Sequence, residues 1–116
     1  MDAAKGLTIS TARSNDEVVV TAGGEIDFAN VGILVGGIES EIDDSVTSCV
    51  IDFERVTFID SETVKALLAL RYRYADLRKD IKLRHCSRPV FRLLSLLGVQ
   101  HQIGLLDDDD DIRPHL

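Results

Sequence analysis

In Val56-Thr57-Phe58-Ile59-Asp60-Ser61-Glu62-Thr63 one periodicity gives way to another. The first four residues continue an extended apolar run, and after Asp60-Ser61 the pattern turns helical. Ser61 therefore falls at or just before the first helical residue. Upstream, Cys49 to Phe53 is a short apolar run holding one Asp, the composition of a buried strand. Downstream, Glu62 to Lys79 contains neither Gly nor Pro. Val64, Leu67, Leu68 and Ala75 make one apolar stripe of that helix, and Ala66, Leu70 and Leu77 make a second beside it. The resulting arc is wider than a one-sided surface helix needs. Arg71 and Arg78 interrupt it and are expected to lay their stems on the core with their heads in water.

Toward the N-terminus, Leu7 to Ala12 and Val18-Val19-Val20 flank the turn sequence Ser14-Asn15-Asp16, which predicts an antiparallel hairpin. Gly23-Gly24 is expected to break the second strand. Asp27 or Asn30 then caps a helix running through Val31, Leu34, Val35, Ile38 and Ile42. Gly32, Gly36 and Gly37 each weaken that helix by roughly 1 kcal/mol relative to Ala, and would permit close backbone packing. Toward the C-terminus, Asp80 to Cys86 reads as a strand. Ser87 caps a helix with Pro89 in its first turn and Gly98 as its stop. Gln100 to Leu106 is read as a last extended piece.

The order β-β-α-β-α-β-α defines the fold class: an α/β domain with a mixed four- to five-stranded sheet that opens with an antiparallel hairpin, helices packed on it. One domain is expected over 1–106. The tail, 107–116, carries five consecutive Asp residues that repel one another, and it is expected to be disordered.

The whole chain has 116 residues, of which 45% are apolar, enough for one core without disulfide or metal support. No apolar run approaches a membrane span, and Met1 to Thr11 lacks the layout of a signal peptide. A soluble, cytoplasmic protein with no direct membrane insertion is expected. Cys49 and Cys86 form no CxxC pair. If their strands run parallel they lie at opposite edges of the sheet, so two free thiols are expected and no metal site.

Charge is distributed unevenly: net −10 through Val64, +7 from Lys65 to Leu106 and −4 in the tail. Such halves can steer a charged partner. The simpler reading, preferred here, is that they neutralise each other in the fold.

No P-loop, GxGxxG, HExxH or GxSxG occurs, which argues against an enzyme and against a bound cofactor. His85 and His101 read as structural or solvated, and His115 lies in the tail. Tyr72 and Tyr74 stand among arginines, but the acidic total and the lack of an aromatic platform argue against nucleic acid as a partner.

Ser61 is the informative residue. At its simplest, Ser61 or Asp60 is a helix N-cap worth about 1 kcal/mol. The same geometry supports a functional reading. A helix N-terminus offers unpaired N–H groups and the positive end of the dipole, so a phosphate on Ser61 would be accommodated there. It would bring roughly −1.5 to −2 charges, enough to reject a partner docked on an uncharged surface.

Gly24-Glu25-Ile26-Asp27, Val50-Ile51-Asp52-Phe53 and Val56-Thr57-Phe58-Ile59-Asp60-Ser61 together resemble the STAS domain of bacterial anti-sigma factor antagonists. Ser87-Arg88-Pro89-Val90-Phe91-Arg92-Leu93-Leu94 with Leu97-Gly98-Val99 is similar to the family's last helix. The resemblance runs from about Leu7 to Ile103. It implies a partner switch, in which the antagonist binds an anti-sigma factor that is also a serine kinase and so releases a sigma factor. Phosphorylation of a serine matching Ser61 ends the contact, and a phosphatase restores it.

The resemblance matches Asp27 and Asp60 to the acidic residues flanking the family's binding face and Ser61 to its serine; with Glu62 and Thr63 of the first helical turn they are the expected partner-binding residues, on a monomer or weak dimer. One departure stands out. The family's usual small hydroxyl residue, glycine and leucine after the serine are replaced by Glu62-Thr63-Val64. Thr63 in place of glycine should stiffen the turn and crowd an approaching kinase loop. Glu62 should repel a phosphate on Ser61. The alternative function is that of a STAS-type accessory subunit docking on the ATPase of a membrane transporter. Nucleotide binding is a third and weaker reading.

Overall fold

The computed structural model describes residues 6–106. The expectation of a disordered tail over 107–116 lies outside them. The elements are β1 (Thr8–Ser14), β2 (Glu17–Ile26), α1 (Val31–Glu41), β3 (Ser48–Ile59), α2 (Ser61–Ala75), β4 (Asp80–Arg84) and α3 (Arg88–Leu96). They form one sheet of four strands in the order β1-β2-β3-β4. β1 pairs antiparallel with β2, and β2–β3 and β3–β4 are parallel. The hairpin turns at Asn15, whose φ of 56° lies in the left-handed region that Asn tolerates. The mixed sheet, its opening hairpin and the element order are as the sequence predicts.

Alternation along the strands builds the core. Val18, Cys49 and Ile81 stand side by side on neighbouring strands, as do Val20, Ile51 and Leu83, and all are buried. Leu34 and Ile38 of α1 and Val64, Leu67 and Leu70 of α2 join the same cluster. So do Val90 and Leu94 of α3, with Phe53 the largest fully buried side chain. α1 and α2 touch each other, so they share one face of the sheet.

β3 is longer than its partner. Thr21 pairs with Asp52 and Gly23 with Arg55; Gly24 then pairs with Val56 and Glu25 with Phe58. Each step inserts one extra β3 residue, so β3 is bulged twice. The runs Cys49–Phe53 and Val56–Ile59 are thus one strand. Gly23-Gly24 does not break β2. Gly24 lies inside it at a φ of +91°, where a Cβ would fall 1.4 Å from the Gly6 carbonyl oxygen, so only glycine fits.

Other boundaries also differ from the sequence reading. α2 ends at Ala75 rather than near Lys79: Arg78 adopts a φ of 62°, and Lys79 N–H bonds back to the Tyr74 carbonyl at 3.0 Å. This is a left-handed helix stop of the kind glycine usually provides, which is why sequence did not reveal it. Gln100–Leu106 is mostly turn, with a single parallel bridge from Leu105 to Leu83. Arg71 does not send its head into water; Nε donates to the Ile81 carbonyl and Nη1 to that of Gln102, each at 3.0 Å. Gly32 and Gly36 have nothing within 4 Å of a would-be Cβ, so they serve no close packing among the described residues.

The acidic and basic halves meet at Arg73–Glu39 and Arg84–Asp52, whereas Arg13–Asp43 lies within the acidic half. Cys49 and Cys86 are both buried, and no disulfide joins them. None of the helices among the described residues is long and apolar enough to cross a membrane.

Candidate functional site

β2 and β3 end side by side, Ile26 opposite Ile59, and both chains then turn into helices. The turn after β2 is held by its own polar groups. Asn30 at the N-cap of α1 makes no side-chain cap bond. Instead its Oδ1 accepts from Asp27 N–H at 2.9 Å and its Nδ2 donates to the Glu25 carbonyl at 3.0 Å. Asp27 Oδ1 in turn accepts from Ala29 N–H at 2.9 Å, and Asp27 is half-buried.

Asp60 joins this turn to α2. It is the N-cap, with an extended backbone. Its Oδ1 accepts from Thr63 N–H at 2.8 Å, while Oδ2 accepts from Phe28 N–H at 2.9 Å. One carboxylate therefore caps α2 and latches the β2–α1 turn beside it. Burial pushes the Asp60 carboxyl up, but the hydrogen bonds from Thr63 and Phe28 outweigh burial and hold it below the ordinary carboxylate range.

Ser61 is the first residue of α2 and is exposed. Glu62 is exposed too, 3.1 Å from Lys65 one turn on. Thr63 is placed differently from the others: it is fully buried, its hydroxyl 2.8 Å from Asp60 Oδ1 and 3.2 Å from the Ile26 carbonyl oxygen. Facing inward, it supports the surface instead of forming it. The expected crowding of an approaching loop by Thr63 is corrected accordingly. Val64 is also buried. Of the three residues following Ser61, only Glu62 alters the exposed face.

Two aromatics that sequence reasoning passed over lie here. Phe28, in the latched turn, is 75% exposed, and Phe58, two residues before Asp60, is 49% exposed. Phe58 looks like another core residue of an apolar strand. The second bulge of β3 changes that, sending Phe58 outward beside Glu25 while Ile59 stays buried. For Phe28, the aromatic inside the polar stretch Asp27 to Asn30 was the available signal. The result is a surface with an exposed serine hydroxyl, carboxylates on either side and two solvent-facing rings. Such a combination suits recognition of a protein, with the rings as apolar anchors and the charges giving orientation.

Comparison with known proteins bears on the family and the fold. The family described as Mlab, STAS domain matches residues 9–107. The anti-sigma-F factor antagonist RsfB of Mycobacterium tuberculosis is 35% identical over 69 residues, covering 60% of this chain. That match spans 57% of the length of RsfB. A crystal structure of an anti-sigma factor antagonist from Mycobacterium paratuberculosis superposes with a TM-score of 0.75 at 26% identity, covering 91% of this chain and 90% of that one. The anti-sigma factor antagonist SpoIIAA in its unphosphorylated form shares the fold, with a TM-score of 0.71 at 21% identity over 90% of this chain and 93% of its own.

Proposed function

This chain belongs to the STAS domain family, and from that membership we propose that it is an anti-sigma factor antagonist whose partner docks on the Asp27–Asp60–Ser61 surface. The partner is an anti-sigma factor that is also a serine kinase, and its capture frees a sigma factor for transcription. The observation that carries this reading is Ser61 itself: an exposed hydroxyl on the first residue of α2, directly after the Asp60 cap that also latches the turn carrying the exposed Phe28.

Phosphorylation of Ser61 is the off-switch. The first turn of α2 supplies N–H groups and the positive dipole end for a phosphate. Asp60 and Glu62 on either side add repulsion, so the added charge is poorly compensated and the docked partner is expelled. Glu62 makes this serine a slower kinase substrate than one with a small neighbour. A phosphatase resets the switch.

The test combines binding and intact mass. The full chain is titrated against the purified anti-sigma kinase, as wild type, Ser61→Asp and Phe28→Ala. It is then incubated with the kinase and ATP. Binding by the wild type, with affinity at least tenfold weaker for both variants and one added phosphate on Ser61, is expected. Equal affinity for wild type and Ser61→Asp would defeat the switch. Capture of a transporter ATPase by the chain, with no kinase binding, would establish the accessory-subunit role instead.

A further inference from the structure

A second cluster lies on β3, away from Ser61. Asp52 and Glu54 come from β3, and His85 follows β4, one residue beyond Arg84. One donor atom from each of Asp52, Glu54 and His85 can be chosen so that all lie within 4.8 Å of one another. We propose that these three residues form a binding site for a divalent transition-metal ion of the zinc or cobalt class.

The fold assembles the donors from separate places. Asp52 pairs with Arg84 in the parallel ladder, which sets the β4 terminus beside it. The first bulge of β3 falls between Asp52 and Arg55, beside this cluster. Asp52 and Glu54 are two residues apart on one strand, so alternation brings both to the same face. Glu54 N–H donates to Asp52 Oδ1 at 2.9 Å, fixing the carboxylate. His85 adopts a φ of 59°, and its Nδ1 lies 3.0 Å from Asp52 Oδ2. Two ligands each about 2.1 Å from a metal and that far apart subtend about 90°, the angle between neighbouring ligands of an octahedron.

The donor set decides the class of ion. One imidazole with two carboxylates suits zinc, cobalt or nickel, whereas calcium and magnesium prefer oxygen alone. Asp52 is only 7% exposed, so one ligand is already desolvated. Arg84 Nε donates to Asp52 Oδ2 at 3.0 Å. It serves as the outer hydrogen bond that orients a ligating carboxylate, while its charge weakens the pull on a cation. Waters complete the coordination. A bound ion would tie β3 to the turn that enters α3, where Ser87 Oγ already donates to the Val56 carbonyl at 2.8 Å.

The experiment is calorimetric titration of the full, chelator-stripped chain with zinc chloride, paired with a zinc-dependent thermal shift. The variants are His85→Asn, which tolerates the left-handed backbone, Glu54→Gln, which changes an exposed side chain, and His101→Ala as a control. One ion per chain is expected, with affinity reduced tenfold or more and the thermal shift lost in both ligand variants, and no change in the control. Three results would overturn the site: no zinc binding by the wild type, wild-type affinity in Glu54→Gln, or loss of binding in His101→Ala. Glu54→Gln keeps the test decisive even if His85→Asn does not fold.

Discussion

Replacing Asp60 by Ala removes two backbone attachments and the bond from the Thr63 hydroxyl, which keeps the Ile26 carbonyl as its acceptor. The first is the cap bond to Thr63 N–H at 2.8 Å, a contact worth about 1 kcal/mol at a helix N-terminus. The second is the latch to Phe28 N–H at 2.9 Å. Phe28 is exposed, so water replaces much of that bond, and its loss costs about 0.5–1 kcal/mol. The expected sum is about 1.5–2 kcal/mol, or a fall in Tm of about 6–8 °C for a domain of this size. Asp60→Asn keeps an oxygen for Thr63 but turns an amide NH2 toward Phe28 N–H, so about half the loss is expected.

Urea unfolding followed by circular dichroism measures both. The pH dependence supplies an independent sign. Because the folded Asp60 carboxyl lies below its ordinary value, its contribution is complete above about pH 4 and disappears as pH falls through the lower folded value. The gap between wild type and Asp60→Asn should therefore narrow in acid. If Asp60→Ala unfolds within 0.5 kcal/mol of wild type, or the gap widens toward low pH, the assignment of Asp60 as cap and latch is wrong.

Two further outcomes test the backbone and the core. Gly24→Ala should lower stability by at least about 2 kcal/mol, because the new Cβ meets the Gly6 carbonyl oxygen, while Gly36→Ala, with open space around it, should raise stability by up to about 1 kcal/mol. Urea midpoints that move alike would contradict this contrast. Burial, with lesser contributions from Glu17 and Glu41, pushes the Cys49 thiol up to about 12. In a Cys86→Ala background, Cys49 should thus stay unreactive toward a disulfide reagent at pH 8 in the folded chain and react fully in urea; rapid labelling of the folded chain would contradict its burial.

Much of this was legible in the residues alone. Strand and helix periods, the turn at Ser14-Asn15-Asp16 and the hand-over at Asp60-Ser61 are local signals, and they determined the element order and the mixed sheet. They also placed Ser61 at the head of α2, since capping chemistry is written within a few residues. Both bulges of β3 were hidden, because a bulge is a mismatch between two strands and no single strand encodes it. Only the tertiary structure could turn Phe58 outward, bury Thr63 beneath the Asp60 cap and bring His85 within reach of Asp52, which lies 33 residues earlier. Each of these depends on the register between distant segments, which packing of the shared core decides.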